Sequence, residues 1–169
     1  MITTSSKGPS LAAVVRGDEV QVGNALVGVA KAQELSVRNG GVVALLAGEN
    51  AELNNGYCQH VLAGESARVS KAGAAAIVAG GEMQVMDAGA ALMVAGNGMS
   101  MERAGAAAIV AGKADIRGGY VGLVVSGKTA VSDGARVLLG TREALIMGVV
   151  CALLLRLFGL GGKKKSKRR

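Results

Sequence analysis

The chain has 169 residues, half of them hydrophobic, with 27 glycines, one proline, no tryptophan, and Tyr57, Tyr120 and Phe158 as its aromatics. That is one domain's length of chain, and the low charged fraction of 18% with positive mean hydropathy excludes a disordered polyampholyte. The formal charge of +7 belongs to the last seven residues, KKKSKRR; without their six basic side chains, 13 basic residues face 12 acidic ones, so the body is near neutral. Specific recognition of single-stranded nucleic acid, which leans on aromatic stacking, is not expected from such a composition.

Residues 1–9 are expected to be a flexible lead-in that ends at Pro9. The start, MITTSSKGPS, lacks the basic stretch and apolar run of a secretory signal peptide. Cys58 and Cys151 lie in apolar surroundings without CxxC spacing, which points to buried thiols rather than a disulfide framework or zinc site.

Residues 10–146 repeat. LAAVVRGDEVQV at 11–22 returns as AAAIVAGGEMQV at 74–85 and AAAIVAGKADI at 106–116. One register runs through Val22, Val37, Leu53, Val69, Val85, Met101, Ile116, Val131 and Ile146 in steps of 15 or 16 residues. A second runs through Gly17, Gly48, Gly64, Gly80, Gly96, Gly112 and Gly127, with Ala32 in the gap. Units this short have no room for helix pairs, whereas a β-solenoid satisfies every backbone group by pairing each strand with its equivalent one rung away. The expected fold is therefore all-β: a single-domain β-solenoid of about nine rungs, a rod about 43 Å long at about 4.8 Å per rung.

Each rung divides into two strands. The second alternates: Val20, Leu35, Ala51, Ala67, Met83, Met99 and Ala114 form an apolar column beside Gln21, Ser36, Glu52, Arg68, Gln84, Ser100 and Asp115. One face of it is buried and the other wet. The first strand, such as 74–79, is apolar throughout, so a flat Ala-rich face needs cover unless both sides are internal. The expected oligomer interface is the column Leu45, Val61, Ile77, Met93, Ile109 and Val124, or its immediate neighbours, between which a period of two cannot choose. The column after the glycine runs from Asp18, Glu49 and Glu65 to Lys113 and Lys128, a polarity that would suit head-to-tail stacking.

Residues 147–162, beginning MGVVCALLLRLFGL, are expected to form a short apolar helix, membrane-associated or capping the rod, followed by the basic tail 163–169. A helix of 14 residues spans about 21 Å, short of the roughly 30 Å hydrocarbon core, so shallow insertion fits better than a full span. Membrane association would rest on Val149, Leu153, Leu154, Leu157 and Phe158 together with Lys163, Lys164, Lys165, Lys167, Arg168 and Arg169, an apolar-plus-polybasic pair of signals suited to an anionic surface. The positive-inside bias places the tail, and with it the rod, on the cytoplasmic side.

No reaction chemistry is expected. Gly122 to Thr129 matches GxxxxGK[ST] in letters, but its middle is an apolar strand and Gly127 is the rung glycine. His60 stands without a sequence-local carboxylate; copies of it meeting on a symmetry axis could bind metal, though a tolerated structural residue is the simpler reading. Glu52/Arg68 and Glu102/Arg117 are expected to be surface ion pairs between rungs. Neither cofactor, metal nor small-molecule substrate is expected.

A short-rung, motif-poor solenoid with a flexible terminus and a membrane-binding segment resembles the bactofilins, bacterial polymer-forming cytoskeletal proteins, over residues 10–146. The resemblance is architectural; the rungs here are shorter and the apolar segment stands at the other end. It implies end-to-end assembly on a membrane. The expected function is a non-enzymatic, self-assembling structural protein, a scaffold or filament subunit on a membrane; the alternative is a closed trimeric or dimeric spike whose apolar faces meet on an axis.

Overall fold

The computed structural model describes residues 2–140, with side chains from residue 11 onward. The strands are β1 (Ile2–Arg16), β2 (Glu19–Arg38), β3 (Gly41–Asn54), β4 (Tyr57–Ala63), β5 (Ser66–Ser70), β6 (Gly73–Ala79), β7 (Glu82–Met86), β8 (Gly89–Ser132) and β9 (Arg136–Leu139). The pairings between them are parallel and join residues 15 to 18 apart, as Val42↔Cys58, Cys58↔Ala74 and Ala74↔Ala90 show. The fold is a parallel β-solenoid of about eight turns. At about 4.8 Å per turn the described rod is roughly 38 Å long; the ninth rung, closing at Ile146, and the expected helix at 147–162 lie outside the described residues.

Within the expected lead-in, residues 2–5 take part in the ladder. Ile2, Thr3, Thr4 and Ser5 pair with Val20, Gln21, Val22 and Gly23, and the ladder resumes at Ser10↔Ala25. Pro9 falls in the register shift between Ser5 and Ser10, where no ladder N–H is required of it. An unpaired solenoid edge leaves backbone groups unsatisfied, so the N-terminal residues gain by covering it.

The rungs at 57–70 and 73–86 carry the expected two strands, β4 with β5 and β6 with β7, and the first strand of each bends once within its length, so that a rung has three short faces. In residues 72–87, the buried residues are Ala72, Ala74, Ile77, Ala79, Met83 and Val85. The strict alternation of one inward, one outward residue breaks at Ala75–Ala76, again at 80–82, and at Met86–Asp87. Those three breaks are corners. They explain the unbroken apolar run of the first strand: Ala75 and Ala76 both turn outward around a corner. The interior alternates small corner residues with larger ones at mid-face, where Leu45, Leu53, Ile77, Met83, Met93, Met101, Ile109 and Ile116 are fully buried. A cross-section that narrow has no space for an aromatic ring, which accounts for the composition.

One corner is built on a left-handed residue in every turn: Asn24, Asn39, Asn55, Lys71, Asp87, Arg103, Gly118 and Asp133 have φ between 46° and 67°. Asn, Asp and Gly tolerate that conformation, whereas a long side chain carries a strain of about 1 kcal/mol. Lys71→Asn is therefore expected to raise the unfolding free energy by about 1 kcal/mol, read as a higher urea midpoint at unchanged slope; an unchanged midpoint would show that Lys71 sits there without strain.

The opposite corner is a ridge of glycines. A Cβ on Gly64 would lie 1.9 Å from the carbonyl oxygen of Gly48, on Gly80 2.1 Å from that of Gly64, and on Gly96 2.0 Å from that of Gly80. The ridge begins at Gly48. Ala32 pairs with Ala47, so it and Gly17 belong to the inward alanine column, which continues through Ala63, Ala79 and Ala95.

Candidate interaction surface

Two of the three faces contrast in chemistry. The face built by β5, β7 and their equivalents is polar: Glu34, Asn50, Ser66 and Glu82 form one outward column and Ser36, Glu52, Arg68 and Gln84 the next. Hydrogen bonds run along it between rungs. Ser36 Oγ donates to Glu52 Oε2 at 3.3 Å, Ser66 Oγ to Asn50 Oδ1 at 2.6 Å and Arg68 Nε to Gln84 Oε1 at 3.2 Å. The expected Glu52/Arg68 ion pair is thus replaced: the two are register neighbours, but each bonds the rung on its other side. Arg117 likewise pairs within its own rung, Nη2 to Asp115 Oδ2 at 2.8 Å, rather than with Glu102. A shallow groove of about 430 Å³ crosses this face between Glu19, Glu34, Glu52, Arg38 and Arg68; its acids and bases are interleaved.

At the left-handed corner, Arg103 grips Asp87 one rung below, Nε to Oδ1 at 2.7 Å and Nη2 to Oδ2 at 2.8 Å. This bidentate hydrogen bond, aided by the charges of Arg103 and Lys71, holds the Asp87 carboxyl below its ordinary range. A depressed carboxylate contributes stability that is present above its unfolded value of about 3.9 and is lost as pH falls through its lower folded value. Asp87→Asn is expected to flatten that part of the acid limb in a stability-against-pH series; an acid limb identical to the parent's would show that the exposed pair is silent.

The face built by β4, β6 and their equivalents is apolar on the outside as well. Its inward column is Leu45, Val61, Ile77, Met93, Ile109 and Val124, each at 0–1% exposure. These residues fill the interior of the rod, which leaves the other expected set, their immediate neighbours, on the outside. One outward column runs Val29, Ala44, His60, Ala76 and Leu92. The other runs Arg16, Lys31, Leu46, Leu62, Val78 and Val94, and the repeat carries it on through Val110 and Val125. Leu62, Leu92, Val110 and Val125 are between 37% and 43% exposed. The glycine ridge borders this face, so it is flat as well as apolar.

His60 is exposed within the strip, with Ala44 and Ala76 as register neighbours. Cys58 points inward, donates to the His60 carbonyl oxygen at 3.2 Å, and has its thiol pushed up to about 11 by burial, so it is poorly nucleophilic. Residues 122–129 continue β8 through the P-loop-like letters rather than forming a loop before a helix. No group of three or more metal-ligating side chains occurs among the described residues. The membrane-association residues, Val149 to Arg169, lie outside the described residues.

Fold and surface together define a short-rung parallel β-solenoid with one polar face and one flat aliphatic face. No family model, curated protein or solved structure matches the chain.

Proposed function

We propose that the protein is a non-enzymatic structural subunit that self-associates through its flat aliphatic face and is carried to an anionic membrane surface by residues 147–169. The observation behind this reading is the outward strip from Leu46 to Val125. Over five rung spacings it is about 25 Å tall, and with the bordering glycine ridge about 15 Å across. A contiguous apolar patch of several hundred Å² is as large as the largest patch on a typical monomer, and such patches often serve a function. The repeat supports the same role, because the outward column carries an aliphatic residue in each successive rung from Leu46 to Val125. The basic tail adds electrostatic attraction of about 1 kcal/mol per Lys or Arg held near anionic lipid.

The test is sedimentation and negative-stain microscopy of the full chain and of a chain shortened to end at Gly148. Filaments or discrete oligomers from both would support the self-association, and binding of only the full chain to phosphatidylserine vesicles would support the membrane role. Leu62→Lys introduces a charge in the middle of the strip and is expected to shift the full chain toward monomer by at least tenfold in dissociation constant while leaving the thermal midpoint nearly unchanged. A full chain that sediments as a monomer at all concentrations would overturn the reading. A mass fixed at two or three chains would select the closed spike over the filament.

A further inference from the structure

We propose that the aliphatic face is occupied by a second copy of the chain lying antiparallel across it, an arrangement that rests on the self-association reading above and adds the direction of the partner. Two features fix the direction. The first is the charge along the rod: residues 11–66 carry six carboxylates against three basic side chains, and residues 103–140 carry five basic side chains against two carboxylates. Copies running the same way set like ends side by side; copies running in opposite directions set the acidic end of one beside the basic end of the other.

The second feature is where those charges stand. Glu49 and Glu65 are exposed at the glycine corner, on the rim of the aliphatic face, and hydrogen-bonded in one column, Glu65 N to Glu49 O at 2.9 Å. Toward the other end of the same rim, Lys113 and Lys128 are exposed. A two-fold axis across the rod at the level of Ala76 keeps each column opposite itself and reverses the rung order. Glu49, two rungs before Ala76, then faces Lys113, two rungs after it. Packed sheets lie about 10 Å apart, within about one Debye length at 0.1 M salt, so rim charges on facing copies are felt across the contact. With the copies parallel, Arg16 and Lys31 of both chains crowd one end of the apolar strip; with them antiparallel, the two clusters are separated by most of the rod.

The arrangement is tested by cross-linking the full chain carrying Cys151→Ser, with the buried Cys58 left in place. Ala44→Cys and Ala108→Cys each put a thiol on the outward column, four rungs apart, which is about 19 Å at the rung spacing. A short bis-maleimide cannot span that distance within a chain or between parallel copies. The expected result is a dimer band only when the two variants are mixed. Homotypic bands from each variant alone, with no gain on mixing, would overturn the antiparallel direction. No bands from any sample while sedimentation still shows oligomers would overturn the use of this face, leaving self-association intact; no bands with a monomeric sedimentation profile would overturn the self-association reading as well. As an independent check, Glu49→Lys is expected to weaken association about tenfold and the double swap with Lys113→Glu to restore it; weakening by both without restoration also counts against the pairing.

Discussion

Gly80→Ala is expected to lower the unfolding free energy by about 3 kcal/mol, the upper end of what overpacking a rigid site costs. A β-carbon at this position would stand 2.1 Å from the Gly64 carbonyl oxygen and 3.2 Å from its carbonyl carbon. Those atoms belong to the backbone of the preceding rung and are held by its own ladder, Gly80 N to Ala63 O at 3.0 Å and Gly64 N to Ala47 O at 3.1 Å. Relief requires moving one rung away from the next, which lengthens hydrogen bonds along the whole corner. Gly98→Ala is the matched control. Nothing lies within 4 Å of a β-carbon there, so reduced freedom of the unfolded chain should stabilise by up to about 0.5 kcal/mol. Denaturant melts of the two variants decide the point: similar midpoints would show that the glycine ridge is incidental.

Ile77→Ala should cost about 4 kcal/mol, whereas Val78→Ala, one residue on, should cost less than about 1 kcal/mol and instead weaken association. Ile77 has 0% exposure and pairs in register with Val61 and Met93, so truncation opens a cavity in the centre of the rod that neighbouring rungs cannot collapse into without breaking the ladder. Val78 faces outward beside Leu62 and Val94. Melting curves with parallel sedimentation separate the two effects. Equal stability losses at both positions would mean that the outward strip is itself covered within the chain.

The contrast between those neighbours marks how far the repeat could be read. The recurrence of Val22, Val37, Leu53, Val69 and Val85 gives the rung period directly, because a residue buried in one turn of a solenoid must be matched by another in the next. The alternation of Met83, Gln84, Val85 and Met86 likewise separates a wet side from a dry one, and the register bears this out. The corners were not legible in the same way. Ala75 and Ala76 are both small and apolar, so nothing in their side chains announces that the chain turns between them and that both face out; a strict period of two instead admits Ile77 as an outward residue. The glycine column was visible, but its starting point was not: Ala32 belongs with Ala47, and only the strand register puts it there.

The amino-acid sequence by itself determined the class of fold. A 15- or 16-residue period, a shortage of aromatics and an aliphatic column in every turn admit a thin stack of parallel strands and little else. Which aliphatic residues fill the rod and which are left on its surface was decided by the tertiary structure, through the left-handed corner at Asn24, Asn39, Asn55 and their equivalents and the close backbone approach at Gly64, Gly80 and Gly96. Hydrophobicity is the same on both sides of that apolar strand; the inward set is selected by where the backbone bends, and the bend is set by contacts between rungs that are distant in the chain.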